Sequence, residues 1–141
     1  MTESLLVTRL NSEAKLPTRA HAGDAGLDLY SVSDITLAPR EPVRIPTGVA
    51  MALPAGHVGL ICDRSSLGSK GLRVLGGVVD AGYRGEVQVV LINLRNEPLT
   101  LAKGDKIAQM LILPVNLCGV EERKSLNDTT RSTGGFGSTG R

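Results

Sequence analysis

Tryptophan is absent from this chain, and aromatic residues number only three in 141: Tyr30, Tyr83 and Phe136. An aromatic core is therefore excluded, and the interior must be aliphatic. None of the three lies in an apolar run. Each sits in or beside a glycine-rich segment: GDAGLDLYS, DAGYRGE and TGGFGSTG. Aromatics placed outside a core commonly meet the face of a ligand; the alternative is chance placement. Cysteine and histidine are equally scarce. Cys62, Cys118, His21 and His57 form no CxxC or Cys/His cluster, which excludes a structural zinc site and leaves two buried or half-buried free thiols in a reducing compartment. No apolar run approaches the roughly 18 residues that span a bilayer. The start, Met1 to Leu10, contains Glu3 and Arg9 and no signal-peptide core. A soluble, cytoplasmic protein without a membrane partner is expected. Excess charge is missing too: 16 Lys and Arg stand against 14 Asp and Glu, a net charge of +2. That excludes the basic stripe of a general nucleic-acid binder and leaves room for a small site for an anionic ligand.

What the chain does have is punctuation. Seventeen glycines and seven prolines separate short β-prone runs at Leu5–Leu10, Gly26–Tyr30, Val43–Pro46, Val49–Leu53, His57–Cys62, Leu72–Leu75, Glu86–Leu94, Leu99–Ala102 and Ile107–Val115. Many short strands between regular turn signals predict an all-β sandwich or barrel. Glu86–Leu94 is the longest strand candidate. The one helical candidate is short, from Ser65 to about Lys70, with Asp63 or Ser65 as N-cap. Composition shifts once, near residue 124. The stretch KSLNDTTRSTGGFGSTGR has two large apolar residues, Leu126 and Phe136, too few to fold alone. The expected division is a β-barrel domain at 1–123 and a flexible arm at 124–141. An aromatic framed by glycines and preceded by arginine suits a tail that orders over a ligand.

Five segments carry chemistry. In GVVDAGYRG, two β-branched residues deliver Asp80 to a strand end and Ala81-Gly82 turns tightly into Tyr83, as in a hairpin. Asp80 could be a general base for a water or merely cap the turn. In RSSLGSKG, serines at a helix start offer hydroxyls and backbone N–H groups to phosphate, and Arg64 adds charge-assisted bonds. TGGFGSTG resembles a phosphate loop in composition. It is not a Walker A motif, because no Gly-Lys-Ser/Thr follows, but its amides can converge on an anion, with Arg131 in reach of a terminal phosphate. In GDKIAQML, Gln109 is the polar residue amid apolar ones, facing either solvent or a site. In AGDAGLDLYS, Asp24 and Asp28 could support a metal or hold a turn. Together these groups suit nucleotide hydrolysis.

With these five segments in this order and spacing, the chain resembles the homotrimeric dUTP pyrophosphatases. The resemblance implies a jelly-roll-like β barrel whose three copies build three active sites at their interfaces. It implies hydrolysis of dUTP to dUMP and pyrophosphate with Mg2+, which lowers dUTP and supplies dUMP for thymidylate synthesis. By the same resemblance, Asp80 activates the water that attacks the α-phosphorus, while Arg64, Ser65 and Gln109 hold phosphates. Asp28 supports Mg2+ through water, the ion itself sitting on the triphosphate. Tyr83 packs on deoxyribose, Phe136 stacks on uracil, and Arg131, Gly137 and Ser138 lie near the outer phosphates.

Two departures stand out. Many family members read Arg-Ser-Gly where this chain has Arg64-Ser65-Ser66, so Ser66 brings an extra hydroxyl toward phosphate or an altered loop. Many bacterial members also place asparagine six residues before the catalytic aspartate; here it is Val74, which leaves uracil to backbone groups near Gly76, Gly77 and Tyr83. Arg-Ser-Ser occurs in dCTP deaminases of the same fold as well, but the glutamate those enzymes need falls at Val90. Relatives also act as regulatory proteins that bind other proteins, a role compatible with intact motifs.

Overall fold

The structure, a computed structural model, describes residues 3–140. Met1, Thr2 and Arg141, which the expected divisions 1–123 and 124–141 include, lie outside the described residues. Among the described residues eleven short strands and one turn of helix follow one another: β1 (Leu6–Arg9), β2 (Leu27–Tyr30), β3 (Ile35–Leu37), β4 (Val43–Pro46), β5 (Val49–Ala52), β6 (His57–Cys62), α1 (Ser65–Gly68), β7 (Leu72–Leu75), β8 (Val78–Val79), β9 (Gln88–Asn93), β10 (Leu99–Leu101) and β11 (Lys106–Pro114). They form small antiparallel sheets in the orders β2-β11-β6-β8, β4-β9-β7, β1-β5 and β10-β3. This is the expected all-β, jelly-roll-like barrel.

Alternation explains the layering. Leu27 and Leu29 of β2 point inward while Asp28 and Tyr30 do not, and Val89, Leu91 and Asn93 of β9 are buried between less buried neighbours. Leu29, Leu37, Ile45, Leu72, Leu91, Ile107 and Met110 fill the interior, and no aromatic joins the core cluster. Asn93, fully buried, ties three backbone groups: its Nδ2 donates to Leu37 O (3.0 Å) and Glu97 O (2.8 Å), and its Oδ1 accepts the Arg95 N–H (2.9 Å). Among the described residues no buried side-chain nitrogen or oxygen lacks a partner, as a stable core requires. The regular body ends where the Val115 N–H meets Gly56 O at 2.9 Å.

Several expectations need correction. Cys62 is half-buried as expected, but Cys118 is exposed, because it lies beyond the last strand. The longest strand is β11, with nine residues, and the Glu86–Leu94 run yields six. Strand β3 was not anticipated, since three residues of ITL leave no periodic signal. The strand before Asp80 pairs with β6, whereas β9 pairs with β4 and β7; the Asp80–Tyr83 turn is real but joins two sheets and is no hairpin. The helix stops at Gly68, and its N-cap is Arg64 without a side-chain bond. Asp63 cannot cap because its carboxylate is taken by Val74 and Arg73. No helix among the described residues is long and apolar enough to cross a membrane.

Candidate active site

Strands β2 and β11 set the floor of a cleft of about 300 Å³, lined by Asp24, Gly26, Asp28, Arg64, Ser65, Lys106 and Gln109. Asp28 faces Gln109 across the ladder. Its side chain is 13% exposed and sits between two cations, Arg64 Nε at 3.4 Å and Lys106 Nζ at 3.1 Å. A guanidinium has five donors, so pairing through Nε leaves others for a ligand. Ser65 stands at the first helical position at the cleft wall, exposed. Gln109 is half-buried and donates Nε2 to Asp63 O at 2.8 Å. It does not face outward, and one amide hydrogen remains for a ligand. Ser66 lines a neighbouring groove with Arg64, Lys70 and Lys106, outside this cleft. Asp24 holds a turn, its carboxylate accepting the His21 N–H at 3.0 Å.

Two residues of this cleft had escaped sequence reasoning. Lys106 lies three positions before Gln109, and in a regular strand the two would face opposite sides. The β2–β11 register shifts between Lys106 and Ala108, and this bulge turns both into the cleft. Gly26 is the other. Its φ is outside the left-handed region, so conformation does not demand glycine; a Cβ there would overlap Gln109 Oε1.

Asp80 and Tyr83 line a second cleft of about 230 Å³ with Val78, Val79, Glu86, Val87 and Gln88. The turn closes by the Tyr83 N–H to Asp80 O, 3.1 Å. Among the described residues the exposed Asp80 carboxylate accepts no hydrogen bond, so it is not spent as a turn cap. The Tyr83 hydroxyl donates to Glu86 O at 2.8 Å, which fixes the ring while leaving it 47% exposed. Gly77 leads into this turn with φ 110, and its oxygen accepts the Ile61 N–H at 2.7 Å. A Cβ there would stand 2.6 Å from Ile61 O, so only glycine allows the approach. Tyr30, the third aromatic, is used internally: its hydroxyl meets Thr18 and Lys15 lies over its ring.

The arm touches neither cleft through a hydrogen bond among the described residues. Arg131 Nε donates to Gly134 O (2.8 Å), Gly135 N–H to Ser138 Oγ (2.7 Å), and Gly140 N–H to Gly137 O (3.3 Å). Its amides serve its own turns and do not converge into a nest here. Phe136 is fully exposed with φ 52. The structure thus gathers Asp28, Arg64, Ser65 and Gln109, sets Asp80 and Tyr83 on a cleft with no lining residue in common, and leaves Arg131, Phe136, Gly137 and Ser138 apart from both.

The comparisons agree with this architecture. A family model described as dUTPase matches residues 12–140. The deoxyuridine 5'-triphosphate nucleotidohydrolase of Mycolicibacterium gilvum is 51% identical, the match covering 99% of this chain and 97% of that protein. The protein of the same name from Corynebacterium glutamicum is 46% identical, covering 98% and 95%. Among solved structures, the dUTPase of Staphylococcus bacteriophage 80alpha with dUPNHPP has a TM-score of 0.93 at 30% identity, covering 99% of this chain and 100% of that one. A dUTPase of phage phi11 of S. aureus, described for its coordination of a structural Mg(II) ion, has a TM-score of 0.81 at 29% identity, covering 87% and 98%. A model matched along nearly the whole chain, and relatives at about half identity over the same span, leave one assignment: the chain belongs to the dUTPase family.

Proposed function

We propose that this protein hydrolyses dUTP to dUMP and pyrophosphate, so lowering dUTP and supplying dUMP for thymidylate synthesis. The observation that carries the reading is the cleft in which Asp28, Arg64, Ser65 and Gln109 converge, since these residues come from three separate segments. Arg64, Ser65 and Gln109 bind the phosphates. Asp80 takes a proton from the water that attacks the α-phosphorus, and the bond to the bridging oxygen breaks to release pyrophosphate. Such a base is worth roughly 10²–10⁴ in rate.

A divalent ion fits the cleft in one way. Among the described residues no group of three His, Cys, Asp or Glu could hold a metal; a bound Mg2+ would take its oxygens mainly from the triphosphate and water, as it commonly does. Asp28 would then meet it through water. When bound, it supplies charge neutralisation on the phosphate oxygens.

A homotrimer completes the site. The two clefts have no lining residue in common, and Val78, Leu117, Val120 and Phe136 are more than half exposed; both facts are expected of a chain whose sites form between copies. The arm, residues 124–141, closes over the nucleotide and brings Phe136 to uracil, with Arg131, Gly137 and Ser138 to the outer phosphates. Tyr83, fixed through its hydroxyl, packs on the deoxyribose. An apolar wall rejects an added hydroxyl only about 10²-fold, so exclusion of UTP depends on that fixed ring leaving no space. The test is pyrophosphate release from dUTP, dCTP, dTTP and UTP, with ammonia release from dCTP alongside. Turnover of dUTP with little of the others is expected; comparable rates on dCTP or UTP, or ammonia from dCTP, would sink it.

A further inference from the structure

The motif segments give no role to Asp63, yet its carboxylate and its main-chain oxygen tie three separate residues beside the cleft. We infer that Asp63 is a positioning residue that holds the segment Val74–Gly77 against the end of β6 and thereby sets discrimination among pyrimidine bases. This rests on the functional reading above, together with the expectation from the sequence that uracil is met by backbone groups near Gly76 and Gly77.

Asp63 follows β6 and precedes the phosphate-facing Arg64-Ser65. It has ties in three directions. Its Oδ1 accepts the Val74 N–H at 2.6 Å, its Oδ2 pairs with Arg73 Nε at 2.7 Å, and its main-chain oxygen accepts Gln109 Nε2 at 2.8 Å. Two residues earlier, the Ile61 N–H donates to Gly77 O at 2.7 Å. The segment 74–77 is thus fastened at both ends to the terminus of one strand, and that same terminus anchors Gln109.

Magnitudes decide which tie matters. The Arg73 side chain is 61% exposed and that of Asp63 30%, so their ion pair is screened and contributes little by itself; it aims the carboxylate. The bond to Val74 is charge-assisted and satisfies an amide on the edge of sheet β4-β9-β7, which lies beside a different sheet. Val74 has no polar side chain to reach a base, so recognition in this region depends on where the backbone sits. Displacement on the order of 1 Å can cost about 10²-fold in such a site.

The experiment compares Asp63→Ala, Asp63→Asn, Asp63→Glu and Arg73→Ala in the full chain. It reads kcat and KM on dUTP, dTTP and dCTP, thermal melting, and hydrogen exchange of the Val74 amide. Asp63→Ala should lower kcat/KM on dUTP by about tenfold or more, chiefly through KM, and shrink the preference for dUTP over dTTP by a similar factor. Asp63→Asn keeps an acceptor for Val74 and should recover most of both; Arg73→Ala should cost about threefold or less. Asp63→Glu keeps the charge but moves the acceptor, so it should lose selectivity while folding normally, which keeps the test open if the alanine variant does not fold. Equal losses on all three nucleotides would overturn the proposal, as would unchanged Val74 exchange in Asp63→Ala. Should the unaltered protein not turn over dUTP, the functional reading fails, and the exchange data still decide whether Asp63 holds Val74.

Discussion

Leu91 and Phe136 stand at opposite extremes of this chain. The first is 1% exposed within β9 and the second fully exposed in the arm. Around Leu91 each strand pairs with neighbours distant in sequence, and the buried polar groups find partners within the body. Around Phe136 the hydrogen bonds found among the described residues join arm to arm across three residues or so. Body residues are accounted for by their own stability. The arm's arginine and glycines bond only within the arm among the described residues, and under the proposed function they and Phe136 meet the nucleotide.

The sharpest way to test that contrast is to remove the arm. Truncation after Thr130 should leave melting and assembly unchanged and lower turnover by roughly 10³-fold, the lower end for loss of a closing arginine. Affinity should weaken only modestly, because ordering the arm costs about 1–2 kcal/mol per residue and offsets much of what it gains. Intact turnover would make the arm a plain terminus. Asp80→Asn keeps the size and removes the base; steady-state rates should fall about 10²-fold or more with binding of dUPNHPP retained. The body should respond in the opposite currency. Asn93→Ala leaves three backbone groups without their partner and should cost about 2–4 kcal/mol in denaturant unfolding, with kcat at low temperature little changed. The smallest effect belongs to Phe136→Ala. Losing one stacked base contact, on the order of 1–3 kcal/mol, should give a milder copy of the truncation and no change in melting.

How much of this was legible in the sequence varies by residue. The aliphatic core followed from the scarcity of aromatics, and strand positions followed from punctuation by glycine and proline. Partnership did not: nothing in GVVDAGYRG says that Val78–Val79 pairs with β6, because pairing across the chain leaves no local trace. Lys106 was invisible because a bulge breaks the period-2 rule used to sort faces. Gly26 looked like one turn glycine among many, whereas its reason is the space taken by Gln109. Asp63 was read as a helix cap, since a carboxylate before Arg-Ser-Ser is what a cap looks like; only the structure shows it turned toward Val74. Asp80 could be read two ways from spacing, and its unpartnered carboxylate favours the chemical one.

The all-aliphatic core has an optical consequence. With no tryptophan and two tyrosines, one of them on the turn beside Asp80, tyrosine fluorescence and near-ultraviolet dichroism are silent about the packing of Leu29, Leu91 or Met110. Tyr83 instead reports on the rim where the nucleotide is expected. Unfolding of the interior is best followed through the backbone in the far ultraviolet, with Tyr30, held on β2 by Thr18 and Lys15, as the tyrosine that reports on the body.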